Sequence, residues 1–219
     1  MELTSAEKKV LSGISFNSEA IENDELGEKE LSLLMEMRFV AAYLQKKYPD
    51  YSFTITGCEP MEGTSREHDE WFYSVGESGE DTSAFIARAK KDGESFVVTD
   101  DFYGEVIRDE AQAIISKHAE EGGFPVVSVS IGFWEYFGED LGKDISAEDV
   151  LTGKIKAGND IKIFLDGSKL QQSSHEAAIS DLEKILKKKG ITGDVYVVIL
   201  KTADADPAKG RIFSDSFTL

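Results

Sequence analysis

The sequence predicts an α+β fold: largely antiparallel sheets with amphipathic helices packed on one face. Three stretches carry that reading. In residues 28–48, Leu33, Met37, Val40, Leu44 and Tyr48 recur at helical spacing, with Leu34 and Ala41 beside them. Between residues 51 and 99, short runs alternate apolar with polar side chains at the period of half-buried strands. In residues 95–118, the apolar run Phe96-Val97-Val98 turns at Asp100-Asp101. It continues in helical period through Ile107, Ala111, Ile114, Ile115 and His118.

The elements follow in order. Thr4-Ser5-Ala6-Glu7 has the capping-box pattern and opens a short helix to Leu11. Residues 15–27 are polar and acidic and are expected to form a loop. The helix over 28–48 must stop before Pro49, which lacks an N–H. Strands are expected over 51–56, 70–75, 83–90 and 95–99. Asp92-Gly93 makes the last two a hairpin, with Ala84, Ile86 and Arg88 on one face of the third strand. The Gly-paired break at 120–123 marks an expected boundary between a helix and antiparallel-sheet block, 1–121, and a second α/β block, 122–219. Whether the two share one core stays open. In the second block, strands are expected over 124–133, 160–165, 194–201 and 211–218. Ser146 and Asp149 cap a short helix, and Ser173-Ser174-His175-Glu176 opens a longer one to Lys189. Lys187 to Lys189 suit the last turn of that helix, and Gly190 ends it. The C-terminal half is thus a strand–helix–strand unit.

Composition narrows the function classes. Lys and Arg number 24 against 42 Asp and Glu, a net charge of −18. Such a chain is repelled by nucleic acid and by anionic membranes, and attracted to basic partners. No window reaches the apolar length of a membrane span, and the first residues lack a signal-peptide core. Cys58 is alone, so no disulfide forms within the chain, which fits a reducing compartment. A soluble, cytoplasmic protein is the expectation, with its oligomeric state open.

No catalytic or cofactor motif stands out. His68, His118 and His175 lack ligand spacing, and no metal or cofactor is expected. Asp100-Asp101 and Asp204-Ala205-Asp206 fail the pattern of a twelve-residue calcium loop; they read as a helix cap and a turn. No G-x-S-x-G, phosphate loop or dinucleotide fingerprint occurs. With 42 acids, some carboxylate pair is always available, so such pairs identify nothing by themselves.

The densest aromatic cluster runs from Phe133 to Asp140. Its candidate partner-binding residues are Trp134, Glu135, Tyr136, Phe137, Glu139 and Asp140. Rings serve as anchors and carboxylates as specificity elements against a basic protein. A further pattern is Ala42-Tyr43-Leu44-Gln45-Lys46-Lys47-Tyr48, then Phe53-Thr54-Ile55, then Phe96 to Tyr103. It resembles small bacterial proteins that include immunity proteins of polymorphic toxin systems. The resemblance implies a non-enzymatic acidic protein that neutralises a basic, toxin-like partner by occlusion; it carries over no functional residues. Two alternatives stay open: a hydrolase using Asp and Glu as general acid and base in a cleft between the blocks, and a cytosolic assembly subunit.

Overall fold

A computed structural model describes residues 2–76, 84–142, 144–171 and 174–219. Two compact units divide the chain. Unit 1 holds the residues up to Glu105 together with Tyr136–Asp144, and unit 2 holds Val106–Glu135 and Ile145–Leu219. The fold is α+β, with two four-stranded, mostly antiparallel sheets and helices packed against them.

Unit 1 begins with α1 (Ser5–Ile14), whose capping box is complete: Thr4 accepts from the Glu7 amide, and the Glu7 carboxylate accepts from the Thr4 amide. The expected loop after it contains one helical turn, α2 (Ser18–Glu22), which its acidic sequence concealed. A single fully buried side chain, Ile21, anchors that turn. Next come α3 (Glu28–Lys47), β1 (Phe53–Glu59), β2 (Asp69–Val75), β3 (Ala84–Asp92) and β4 (Ser95–Asp100), the strands forming an antiparallel meander in sequence order. Ser83, the expected start of the third strand, lies outside the described residues. Asp92 pairs with Ser95 across the hairpin, and Gly93 takes the positive φ of 62° that the tight turn requires. Leu33, Leu34, Met37, Val40 and Leu44 of α3 are buried, as are Trp71, Tyr73, Phe85, Ala87 and Val98 of the sheet. A cluster of edge-on and tilted rings, Tyr48, Phe53, Phe85 and Phe102, fills one end of this core.

The helix α4 (Tyr103–Glu121) starts in unit 1 and belongs to unit 2 from Val106 onward. Unit 2 continues with β5 (Val126–Phe133), α5 (Ala147–Leu151), β6 (Asn159–Asp166), a single 3-10 turn (Gly167–Lys169), α6 (His175–Lys188), β7 (Asp194–Leu200) and β8 (Arg211–Thr218). The strands lie in the order β5-β6-β7-β8. Only β6 and β7 are parallel, and their crossover contains α6, because parallel neighbours need a long connection. Ser174 caps α6 by accepting from the Ala177 amide; Ser173 lies outside the described residues. Ile161, Ile163 and Leu165 on β6 and Val195, Val197 and Ile199 on β7 are buried, while Asp160, Lys162 and Asp194 remain exposed. No helix among the described residues is long and apolar enough to cross a membrane.

Candidate partner-binding surface

The six residues singled out by the sequence divide between the units. Trp134, 46% exposed, and Glu135 belong to unit 2, where both line a cleft at the start of β6. Tyr136, Phe137, Glu139 and Asp140 belong to unit 1. There Phe137 exchanges two backbone hydrogen bonds with Asp100, 3.0 and 2.9 Å, and so lengthens the sheet beyond its edge strand β4. The Tyr136 ring is covered by the Arg88 guanidinium at 3.5 Å. Burial and the nearby Asp101 carboxylate push the Tyr136 phenol up to about 12. Glu139 bonds Lys46 at 2.7 Å, with both side chains mostly in solvent. Of the four, only the exposed Asp140 has no hydrogen bond, ion pair or ring contact among the described residues.

Beneath this segment lies a buried ion pair that sequence reasoning missed. Asp100 is fully buried and accepts from Lys47 Nζ (2.7 Å), Tyr43 Oη (2.7 Å), Tyr48 Oη (2.8 Å) and the Phe102 amide (3.1 Å). Lys47 also donates to the Phe137 carbonyl at 2.9 Å. Burial pulls the Lys47 ammonium below the usual lysine range, against the pull of Asp100. Burial, reinforced by Asp100, holds both phenols far above theirs. Asp100 thus accepts an amide at the entry to α4, as a capping residue does, and is also the anion around which α3, β4 and the 136–138 segment close. The signal was available: Tyr43 and Lys47 stand one turn apart on α3 beside the capping Tyr48, all three buried, and a buried lysine needs an anion.

A second buried acid site joins α3 to β2. Glu36 accepts from Trp71 Nε1 at 2.8 Å, and its carboxyl also hydrogen-bonds Asp69. Burial raises Glu36 to about 7, and the Asp69 charge adds to the rise. Asp69 accepts the Met61 amide and so ties the 60–64 turn to this site. The half-buried Cys58 thiol is pushed well above the ordinary thiol range by burial and then by these two carboxyl groups. It is a poor nucleophile there, since the thiolate is the reactive form. Among the described residues, no group of three or more His, Cys, Asp or Glu could hold a metal ion.

The charge and the exposed apolar surface of the protein coincide. Unit 1 carries 26 of the 42 acidic and 11 of the 24 basic residues, so 15 of the 18 net negative charges are its own. Seven of the nine large apolar side chains exposed among the described residues are also in unit 1. Three of them, Leu31 (38% exposed), Met35 (63%) and Phe39 (39%), stand at i, i+4 and i+8 on α3, a stripe about 12 Å long. Phe39 meets Phe96 of β4 at 5.4 Å between ring centroids, and Met61 exposes 44% of its surface in the tied turn. A helix apolar on both sides ordinarily has both sides covered. The basic groups around the stripe are neutralised within the unit: Lys29 by Glu62, Arg38 by Glu7 and Lys46 by Glu139.

No family model matches the chain, and no curated protein matches it. Among solved structures, the chain is similar to a DUF5037 family protein from Ruminococcus gnavus ATCC 29149, at 12% identity and a TM-score of 0.42, over 84% of this chain and 91% of that one. So loose a likeness carries no inference about function.

The remaining sequence candidates have local roles. Asp206 accepts from the Ala208 amide and shapes a turn. The Asp101 carboxylate accepts from the Ile86 amide, and burial lifts it to about 6. His68 lies 3.5 Å from Glu70, whose carboxylate also binds Arg66 and Arg88. His118 in unit 2 is held below the usual imidazole range, first by burial and then by Lys189.

Proposed function

We propose that the protein is a non-enzymatic binding protein whose acidic unit captures a basic protein partner, docking a basic amphipathic helix along the outer face of α3. The observation that carries this is the coincidence of the Leu31-Met35-Phe39 stripe with the unit that holds nearly all of the net charge. Apolar anchors at helical spacing receive the apolar face of a helix, and Met and Phe adapt to it. The surrounding negative potential attracts the lysines and arginines on the flanks of that helix and speeds encounter at low salt. Occlusion of a toxin-like partner, which the resemblance to immunity proteins implies, requires nothing more than such a surface. A rigid internal polar structure, with Asp100 and Glu36 sealed inside, supports binding rather than proton transfer to a substrate.

The test uses a fluorescent 20-residue Lys/Leu peptide of helical amphipathic pattern and a scrambled peptide of identical composition. Anisotropy is expected to show saturable binding of the patterned peptide at about 50 mM salt and its loss near 500 mM, where the screening length falls to a few ångströms. The pair Met35→Ser and Phe39→Ser, which leaves the charge unchanged, is expected to weaken binding by about tenfold or more. Equal affinity for both peptides, or no effect of the paired substitutions, sinks the α3 docking mode. No binding of either peptide at low salt sinks the basic-partner reading itself.

A further inference from the structure

The second unit carries a groove whose chemistry differs from that of the acidic unit. It begins at the cleft where β6 and β7 start, with a volume of about 400 Å³. Trp134 forms one wall. Its indole lies against Gly158, where an added Cβ would sit 1.9 Å from Nε1, so only glycine admits the ring in this position. The Asn159 amide, 98% buried, lines the same cleft, and its Oδ1 accepts no hydrogen bond among the described residues. That oxygen lies against Gly193, whose φ of 133° and lack of a side chain leave it room. A buried amide oxygen without a donor costs on the order of 1–3 kcal/mol; sealed from solvent, this one shapes the floor of the cleft rather than reaching a ligand.

The cleft runs on through Asp194 and Thr218 into a trough of about 650 Å³ on the open face of the second sheet. Small residues on the outer strands, Ser130 and Gly132 on β5 and Ser216 on β8, leave Lys162 and Tyr196 standing on the central pair. Tyr196 accepts from Arg211 Nη1 at 2.9 Å, and hydrogen bonding to Ser214 first, then the cation, lowers its phenol. Lys162 sits 6.0 Å from the Tyr196 ring and makes no ion pair among the described residues. From the register of Asn159 to that of Lys162 the groove extends about 10 Å along the strands.

We propose that this groove binds a neutral, hydroxyl-rich chain, an oligosaccharide longer than one ring. Two aromatic side chains offer flat faces to the C–H surface of sugar rings. Glu135, Asp160 and Asp194 accept from hydroxyls, and Lys156 and Lys162 donate to them. A hydroxyl does both, so one type of ligand group satisfies all of these side chains. An anionic ligand would meet three carboxylates, and an apolar one would strip water from five charges without compensation. Unit 2 carries only 3 of the 18 net negative charges, so the groove lacks the long-range field that would select a cation.

The test is calorimetric and fluorimetric titration of the full chain with pentaoses of glucose (α- and β-linked), mannose, xylose and N-acetylglucosamine. At least one is expected to bind saturably below about 10 mM and to perturb the emission of Trp134. Trp134→Ala is expected to weaken it by at least about tenfold, and Asp194→Asn, which keeps an acceptor for Thr218, by a smaller factor. Circular dichroism confirms that both variants are folded. Absence of saturable binding for all pentaoses overturns the proposal, as does binding that Trp134→Ala leaves unchanged. Neither result bears on the α3 surface, which the peptide assay reads separately.

Discussion

Lys47→Ala is expected to destabilise unit 1 by about 3–5 kcal/mol, because it leaves the Asp100 carboxylate buried without its counter-ion. Both side chains are nearly sealed from water, 3% and 0% exposed, so solvent cannot replace the ammonium. Asp100→Asn is expected to cost less than the lysine deletion, since the amide oxygen still accepts from Tyr43 or Tyr48, while Lys47 retains the Phe137 carbonyl. The double replacement Lys47→Met with Asp100→Asn is expected to be more stable than Lys47→Ala alone, as no bare charge remains. Urea unfolding followed by the emission of Trp71, fully buried in unit 1, measures each of these. A loss under about 1 kcal/mol for Lys47→Ala would mean that water reaches Asp100, and the sealed pair would have to be abandoned.

Glu36→Gln is expected to remove most of the pH dependence of unit 1 between pH 4.5 and 7. The Glu36 carboxyl has a folded value of about 7, above its unfolded value of 4.5. The folded state therefore binds the extra proton. The contribution of Glu36 to stability is full below pH 4.5, falls as pH rises toward 7, and is level above it. The drop is about 3 kcal/mol as an upper bound for a shift of that size. The groups facing Glu36 are Asp69 and Trp71 from β2 and Lys91 from the hairpin, and of the two charges the Asp69 carboxylate has the larger effect. Glutamine keeps an oxygen for Trp71 Nε1 and offers N–H groups to Asp69 at every pH. The variant is then expected to exceed the wild type in stability at pH 8 and to match it near pH 4.5. A residual slope remains from Asp101, whose folded value of about 6 acts in the same direction. His118 acts in the opposite direction below pH 6.5, but it belongs to unit 2, so Trp71 emission keeps the two apart. Parallel pH profiles for Glu36→Gln and wild type would show that Glu36 ionises in the fold as it does in water.

Periodicity made most of the architecture legible. The α3 stripe, the β3–β4 hairpin with its Asp-Gly turn and the Lys-rich, Gly-terminated end of α6 are all local patterns, and local patterns survive folding when packing agrees with them. The turn α2 was not legible, because its stability comes from one buried side chain, Ile21, rather than from propensity. The Lys47–Asp100 pair was not legible as a pair. Its members lie 53 residues apart, and each alone reads as ordinary helix-end or cap chemistry. The aromatic cluster at 133–140 was legible as a cluster but not in its division: Trp134 walls a cleft of unit 2, while Tyr136 and Phe137 are engaged by Arg88 and Asp100 of unit 1. The outer stripe of α3 could have been found by asking which apolar residues of that helix the core stripe leaves over.

Cys58 gives the molecule a built-in clock. The lone thiol of the chain sits half-buried beside Glu36 and Asp69, in surroundings that suppress the thiolate. A disulfide reagent added at neutral pH will therefore modify the native protein slowly and the opened sheet at the rate of a free cysteine. The lag between the two records how often β1 and β2 part from α3, with no label introduced and no residue replaced.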